Sequence, residues 1–343
     1  MKNKVTKTIP YIAQAQLIGC ILVIIGHSIP LDWEIPNMIY TLDVFLYTFH
    51  MPLFFFISGY LFEKTDSAGR YKFGQYFLTR SRKLMLPYVV LTLIGIVPKL
   101  LLQNSIDNGV RSVMEYLVKS IFVPRENVWG HFWFLPTSLI ISTFAFIFSK
   151  IKNSKNKYAF VFIVIILFAL PTIPSLTQIT DWFAINDVVK FTCYYAFGVL
   201  FANSGFEKVF CDKKANKLML LLLPVSVGLF LIKSNNAIIT NLVRETVGVF
   251  MLLFVLAFAQ QFNIMDTRAG NFLTKKTYSI FILSWPFQSV VSIVFENMLG
   301  LEYYVTMPIA FVFGIGGPIV TIVAVDWFEK KTGKRIISPI IGG

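Results

Sequence analysis

Apolar runs of about 20 residues recur from one end of the chain to the other, and they restrict the fold more than any other feature. A helix of that length crosses the hydrocarbon core of a bilayer, because each residue adds about 1.5 Å. Only 14% of the residues are charged, whereas soluble domains carry about 25%. No polar stretch between the runs is long enough to fold alone. We therefore predict an all-α, polytopic transmembrane helical bundle, built as a single membrane-embedded domain over residues 1–343.

The apolar runs predict about ten spanning helices. Their expected bounds are 11–29, 39–62, 84–102, 132–149, 158–174, 187–203, 217–232, 238–260, 278–296 and 303–325. Pro10 suits the first turn of the first helix, since its missing N–H is not needed there. The largest loop, about 103–131, has room for an interfacial helix near 110–123.

Basic residues alternate between the loops. Of the 31 Lys and Arg residues, 24 lie in one set of loops, four in the opposite set and three within helices. The richer set consists of 2–7, 64–83, 150–157, 208–217, 268–276 and 330–335. Such asymmetry marks cytoplasmic loops, so we predict a multi-pass protein of the cell membrane with both termini in the cytoplasm. The net charge of +13 is thereby explained by topology, and no nucleic-acid partner is expected.

Ionisable residues inside spanning helices are costly and mark functional sites or bundle interiors. The predicted topology places His50 at about mid-depth and the others in the outer half of the membrane: His27, Asp43, Lys99, His131, Lys190, Arg244 and Glu245. This distribution predicts a polar cavity open to the exterior. The alternative is that Lys99, Lys190 and Arg244 extend to the outer headgroups, and both interpretations stay open.

Three of these residues form a candidate catalytic group. Asp43 and His50 are seven positions apart, which is about two turns, so they are expected on one helix face. His27 lies at a similar depth on the preceding antiparallel helix and is expected to meet Asp43. A carboxylate that fixes an imidazole tautomer produces a usable general base. The alternative is that each histidine only hydrogen-bonds a neighbouring helix.

Five segments carry a resemblance in the same order along the chain. They are ILVIIGHS (21–28), FHMPLFFFISGYLF (49–62), RSRKLMLPY (80–88), HFWFLP (131–136) and YSIFILSWP (278–286). With them the chain resembles the acyltransferase 3 family of bacterial membrane acyltransferases, and specifically its fucose 4-O-acetylase-like branch. The segments span most of the chain and agree with the ten-helix layout.

The resemblance implies O-acylation of carbohydrate, with acetyl passing from cytoplasmic acetyl-CoA to a hydroxyl of a cell-surface polysaccharide or its lipid-linked precursor. His27 corresponds to the family's presumed catalytic histidine. Relatives commonly carry Arg or Lys eleven residues earlier, where this chain has Gln16, and an acidic residue where it has Ala13. Many relatives also have His where Ser284 stands. Acyl-CoA is then a co-substrate, and no tightly bound cofactor is expected.

Donor-side candidates are Arg80, Arg82 and Lys83 at the cytoplasmic start of the third predicted helix, together with Gln16. Guanidinium groups bind phosphates through paired hydrogen bonds, which suits the phosphates of coenzyme A. The family has a basic cluster at this place. The alternative is that the three cations only enforce the positive-inside topology.

Acceptor-side candidates are Trp129, His131 and Trp133, because aromatic rings stack on sugar faces. The alternative is ordinary interfacial tryptophan. Arg244 and Glu245 are further candidates, and each needs a partner elsewhere because adjacent helical residues do not face one another.

Metal chemistry and two rival functions complete the expectations. The three histidines lack compact ligand spacing and no carboxylate cluster joins them, so no metal site is expected.

One rival function is a transporter or flippase for a glycolipid or small polar solute. The other is a non-catalytic family member within an envelope synthesis complex, which the Gln16 departure motivates. The oligomeric state is left open.

Overall fold

The computed structural model describes residues 9–30, 35–101, 112–151, 157–232 and 234–343, and within these ranges it is all-α, without any β-strand. The predicted fold class is confirmed. The α-helices of the described ranges are α1 (Pro10–His27), α2 (Asn37–Tyr47), α3 (His50–Lys64), α4 (Ser67–Arg70), α5 (Phe73–Leu101), α6 (Val113–Phe122), α7 (Phe134–Ile151), α8 (Lys157–Ala169), α9 (Ile185–Ser204), α10 (Glu207–Cys211), α11 (Lys213–Met219), α12 (Leu222–Phe230), α13 (Ala237–Gln260), α14 (Arg268–Val291) and α15 (Tyr303–Thr332).

Seven helical segments of the described chain are long and apolar enough to cross a membrane. They are Pro10–His27, Asn37–Lys64, Phe73–Leu101, Gly130–Ser149, Ala237–Gln260, Arg268–Met298 and Tyr303–Thr332. The other three predicted spans fall on the shorter apolar helix α8, on α9 with its polar first turns, and on the pair α11 and α12. The count of ten and the cytoplasmic termini therefore stay predictions.

The second predicted span is divided in two, which corrects an expectation about its faces. Helix α2 ends at Tyr47 and α3 begins at His50, with Phe49 at φ −135° and ψ −20° between them. The cause is Pro52, which has no N–H to donate to the carbonyl of Thr48 and cannot continue the preceding helix. Asp43 and His50 are therefore not on one helix face.

Helices α3 and α9 pack backbone against backbone at two glycines. A methyl group at Gly59 would overlap the carbonyl oxygen of Tyr195, and one at Gly198 would overlap the carbonyl oxygen of Phe56. Small residues permit this close approach between membrane helices. The two helices therefore form one firmly joined unit.

Helix α1 lies at the centre of the bundle and contacts α3, α13, α14 and α15. The buried amide of Gln14 donates from Nε2 to the carbonyl of Ala259 (2.9 Å), while its Oε1 accepts from the N–H of Ile264 (2.7 Å). These bonds satisfy a carbonyl at the end of α13 that the helix leaves unpaired, and an N–H of the 3₁₀ turn that follows it. Gln14 thus fixes the start of α1 against α13.

Three phenylalanine rings pack together near the middle of the bundle. The ring centroids of Phe54, Phe134 and Phe281 are 5.6–6.0 Å apart in every pairing. Phe281 also contacts the ring of His131 at 5.4 Å. We call these three rings the phenylalanine cluster.

The predicted interfacial helix corresponds to α6, with residues 110 and 111 of the prediction outside the described ranges. Its apolar side chains Val113, Met114, Val118 and Ile121 are exposed. An exposed apolar face of this kind is typical of a helix lying in the membrane interface.

Candidate active site

His27 is the last residue of α1, and its half-buried imidazole lies between α2 and α14. Its Nδ1 is 3.0 Å from the hydroxyl of Tyr47, and its ring meets the indole of Trp285 edge-on at 4.4 Å. The end of α1 is held by Gln288, whose Nε2 donates to the carbonyl of Ile24 (2.8 Å) and to Ser28 Oγ (2.9 Å). The imidazole is therefore fixed from two neighbouring helices.

Asp43 lies near His27 but does not hydrogen-bond it. The carboxylate is buried, and its Oδ1 has no hydrogen-bond partner among the described residues. It lies 3.8 Å from the place a side chain on Gly26 would occupy. The expected pairing of Asp43 with His27 is thus absent, and Tyr47 takes the position next to the imidazole. The hydroxyl of Tyr47 was not singled out by the sequence, since tyrosine is frequent in this chain.

His50 has a defined tautomer in its neutral form. Its buried Nδ1 is 2.7 Å from the carbonyl oxygen of Leu46, which only accepts, so Nδ1 carries the proton. The ring also contacts that of Tyr47 edge-on at 4.6 Å. Tyr47 therefore stands between His27 and His50, and connects the two histidines that the sequence predicted together.

His131 and Trp285 complete the surroundings of His27. The His131 ring centroid is 6.4 Å from that of His27, and its ring stacks on Trp285 at 5.6 Å. His131 Nε2 donates to the carbonyl of Ile282 over 3.3 Å, while Nδ1 is buried without a partner in the described chain. Ser284, which lies on α14 beside Trp285, donates to the carbonyl of Phe281 and to no other described residue. All three histidines thus lie at one end of the bundle.

A cavity of about 420 Å³ opens beside Tyr47. Its walls come from α2, the start of α3, the 3₁₀ turn Pro124–Glu126, α9 and α13. The charged side chains that line it are Arg125, Asp181, Asp187, Lys190, Arg244 and Glu245. The predicted polar cavity is present in the structure, although its exposure to the exterior stays a prediction. Lys190 and Arg244 line it, whereas Lys99 does not.

Arg125 and Asp187 form the best-defined ion pair of this cavity. The guanidinium donates to both carboxylate oxygens, from Nε (2.9 Å) and from Nη2 (2.5 Å). It also lies 4.3 Å above the ring of Trp133. The Asp187 side chain is 4% exposed and that of Arg125 48%. The pair joins the Pro124–Glu126 turn to the start of α9.

Breaking this pair should destabilise the fold. Arg125→Met leaves the Asp187 carboxylate buried without its counter-charge, and we expect a loss of about 1–3 kcal/mol. The measurement is the free energy of unfolding in detergent micelles. As control, Lys276→Met breaks the Lys276–Asp326 pair (2.9 Å), whose carboxylate side chain is 43% exposed, and for this variant we expect a loss under about 1 kcal/mol. Equal losses in the two variants would contradict a structural role for the Arg125 pair.

Arg244 and Glu245 point to different partners, as adjacent helical residues must. Glu245 Oε2 accepts from the hydroxyl of Tyr194 at 2.5 Å. Arg244 is exposed in the cavity and makes no ion pair with a described residue. The hydroxyl of Tyr194 is a partner that sequence reasoning missed, because it comes from a helix 51 positions away.

Trp129 and Trp133 do not offer open faces to a sugar. Both indoles are buried. Trp129 Nε1 donates to the carbonyl of Leu91 (2.8 Å), and its ring lies so close to Gly95 that a methyl group there would overlap it. Trp133 is covered by Phe191 and Arg125. The structure therefore corrects the expectation of a stacking platform, because packing occupies both rings.

The predicted donor-side residues lie toward the other end of the bundle. Arg82 and Lys83 are exposed, while Arg80 is half-buried and its Nε has no partner in the described chain. The carbonyl of Lys83 accepts from the hydroxyl of Tyr278 at 3.0 Å. Gln16 lies on α1 about 16 Å along the axis from His27, and no hydrogen bond joins it to a described residue. One unbroken helix thus connects the two predicted sites.

The C-terminal segment folds back over this end of α14. Backbone N–H groups of Ile337 and Ser338 donate to Glu329 at 2.7 and 2.8 Å. Gly342, which has a φ of +81°, lies against the ring of Tyr278 and the side chain of Ile282. Chain 337–343 is thereby part of the packed bundle.

Comparison with known families identifies the family of this chain. The family model described as an acyltransferase domain matches residues 9–327. The chain belongs to the acyltransferase 3 family. No curated protein and no solved structure gives a significant match. As a member of the acyltransferase 3 family the chain is a multi-pass membrane protein of an acyltransferase family, which supports acyl transfer in general. The fucose 4-O-acetylase-like branch stays a prediction.

A metal site has no candidate among the described residues of this acyltransferase 3 member. The described residues contain no group of three or more His, Cys, Asp or Glu side chains placed to hold an ion. The absence of a metal stays a prediction for the whole chain.

Proposed function

We propose that this protein is a membrane O-acyltransferase, and specifically an O-acetyltransferase. It moves an acyl group from cytoplasmic acyl-CoA to a sugar hydroxyl of a cell-surface polysaccharide or its lipid-linked precursor. The observation that carries the proposal is the position of His27, at the end of α1 with Tyr47 at its Nδ1 and a polar cavity beside Tyr47. Membership of the acyltransferase 3 family supports the reaction class.

The acyl group is proposed to arrive from the end of the bundle that holds Arg80, Arg82 and Lys83. These cations suit the phosphates of coenzyme A, since charge-assisted hydrogen bonds to phosphate are strong. Gln16, in place of the family's basic residue, offers an amide to the pantetheine arm. The cytoplasmic location of this end follows from the predicted positive-inside orientation.

The chemistry requires one base and one leaving group. His27 Nε2 removes the proton of the acceptor hydroxyl as its oxygen attacks the thioester carbonyl. The tetrahedral intermediate then collapses, the C–S bond breaks, and the coenzyme A thiolate takes up the proton. A general base of this kind contributes about 10²–10⁴-fold to the rate.

Tyr47 is proposed to set the tautomer of His27. When Nδ1–H donates to the tyrosine oxygen, Nε2 keeps its lone pair and acts as the base. His50 holds the tyrosine ring from its other side at 4.6 Å. Asp43, buried one turn before Tyr47, adds a negative charge near this group and favours the imidazolium that forms during proton transfer.

Tyr47→Phe should lower kcat of acyl transfer about tenfold while changing KM little, because one hydrogen bond that orients the base is lost. Turnover is measured with labelled acetyl-CoA in proteoliposomes. Tyr40→Phe is the matched control, since Tyr40 is an exposed tyrosine two turns earlier on α2. A drop of the same size in both variants would contradict the positioning role of Tyr47.

The proposed function is tested by ester-linked acetate on purified surface polysaccharide. We expect acetate to disappear when the gene is deleted and to return with the wild-type gene. Unchanged acetate in the deletion strain would reject this polymer as the acceptor. Solute uptake or lipid scrambling by the purified protein, without acyl transfer, would instead establish the transporter alternative. Absence of all three activities would leave the non-catalytic alternative.

A further inference from the structure

The cavity beside Tyr47 contains acids that already have partners. Asp187 is held by the guanidinium of Arg125, and Glu245 accepts from Tyr194 at 2.5 Å. Asp181 accepts from the side-chain amide of Asn186 at 3.0 Å. Each carboxylate of the cavity is thus hydrogen-bonded by the protein itself.

Two cations in the same cavity form no ion pair within the described chain. Lys190 on α9 and Arg244 on α13 are both exposed there, and neither makes an ion pair with any residue of the described chain. Lys190 Nζ lies 5.5 Å from the ring of Phe191, and it feels the charges of Glu245 and Asp187 without forming an ion pair with either. A cation at a membrane-embedded site is costly unless something compensates it. The cavity therefore presents two cations, one from α9 and one from α13, that lack an ion-pair partner among the described residues.

The chemistry of these two groups defines what they bind. A guanidinium forms paired hydrogen bonds with a phosphate or carboxylate, while an ammonium group acts as a compact point charge. Low-dielectric walls focus such a field and raise the local concentration of anions. A neutral sugar would supply no negative charge to either cation.

The two cations lie in the cavity that also contains Tyr47, the neighbour of the proposed base His27. Tyr47 lines the same cavity and its hydroxyl is 3.0 Å from Nδ1 of His27. A ligand whose anionic group lies between α9 and α13 can extend a hydroxyl along the cavity toward the imidazole. The anionic group then serves as an anchor away from the reacting atoms, which orients the hydroxyl.

We propose that the acceptor is an anionic glycan, whose phosphate or carboxylate is bound by Lys190 and Arg244 while one of its hydroxyls is acylated. The inference rests on the proposed function, because it treats this cavity as the acceptor site. Two sources supply the same chemistry: the phosphate of a lipid-linked sugar and the carboxylate of an acidic sugar.

Three probes separate these sources in a binding experiment on the purified full-length protein. They are a polyprenyl-phosphate-linked glucose, a trimer of galacturonic acid, and maltotriose as the neutral reference. We expect one of the two anionic probes to bind at least about tenfold more tightly than maltotriose, with affinity that falls as ionic strength rises. Equal binding of all three probes would overturn the proposal.

The variants localise the binding. Lys190→Met and Arg244→Met should each weaken the binding of the anionic probe about tenfold, which corresponds to one charge-assisted hydrogen bond. The affinity for maltotriose should stay unchanged. Arg268→Met, an exposed cation at the start of α14, is the control and should have no effect. Anion binding that survives both cavity variants would overturn the assignment of the site.

The same probes are then offered as acceptors with labelled acetyl-CoA. Transfer to maltotriose as fast as to either anionic probe would keep the acyltransferase function and reject the anionic acceptor. Cation-dependent binding of an anionic probe without acyl transfer to any probe would keep the anion site and count against the acyltransferase function.

Discussion

We expect acyl transfer to fall by at least about a hundredfold when His27 is replaced with glutamine. The amide fits the same space and can still hydrogen-bond Tyr47, but it cannot accept the proton of the acceptor hydroxyl. The measurement is acetyl transfer from labelled acetyl-CoA by the purified protein in proteoliposomes. In cells, the variant should fail to restore ester-linked acetate in a strain that lacks the gene.

Folding of the His27→Gln variant is checked separately, by its unfolding midpoint and by its affinity for acetyl-CoA. Both should match the wild type, because the cations of the donor side lie at the other end of α1. Activity within a few-fold of wild type would show that His27 is not the base. If the wild type transports a solute but transfers no acyl group, and the variant loses that transport, His27 would belong to a transport pathway instead.

Gly198→Ala should destabilise the fold strongly. A methyl group at this position overlaps the carbonyl oxygen of Phe56, and backbone atoms of a packed helix cannot move aside as a flexible side chain does. Overpacking of this kind costs about 1–3 kcal/mol even where side chains relax, so we expect a loss at or above the upper end. The measurement is the unfolding midpoint in detergent micelles.

Gly316→Ala is the matched control, because Gly316 is also inside a helix and a methyl group there meets no atom within 4 Å. Alanine is the better helix former, so this variant should be neutral or more stable by up to about 1 kcal/mol. A similar decrease in both variants would show that the approach of α3 and α9 is not responsible.

The sequence predicts those features that depend on local patterns. Apolar length is enough to locate α1 and to place His27 at its end, because the length of a spanning helix is set by the bilayer. The same argument locates α13, predicted over 238–260 and found at Ala237–Gln260. The polar residues inside apolar runs likewise predict a cavity, which the structure contains beside Tyr47.

The pairing of side chains across the bundle could not be predicted from the sequence. Asp187 and Arg125 are 62 positions apart, and no local pattern indicates that their helices meet. The expectation that Asp43 and His50 share a helix face was wrong for a different reason, since the span 39–62 was treated as one helix. The proline at position 52 is the signal that would have separated α2 from α3.

Trp129 shows the limit of arguing from residue type alone. Tryptophan at a predicted membrane interface suggests either a sugar platform or a headgroup anchor, and the sequence left these open. The structure shows a third situation, in which the indole fills the space above Gly95 and donates to Leu91. Only the shape of the neighbouring helix decides this.

The phenylalanine cluster has a consequence for the membrane itself. On one side Phe281 touches His131, and three residues earlier on the same helix Tyr278 bonds to the carbonyl of Lys83, so these two contacts are separated by about 4.5 Å along α14. Water filling this short gap would conduct protons and ions. Three packed aromatic rings exclude water, and an acyl chain brought between them would replace one insulating material by another. Under the proposed function, the cluster would let an acyl group cross while the membrane potential is kept.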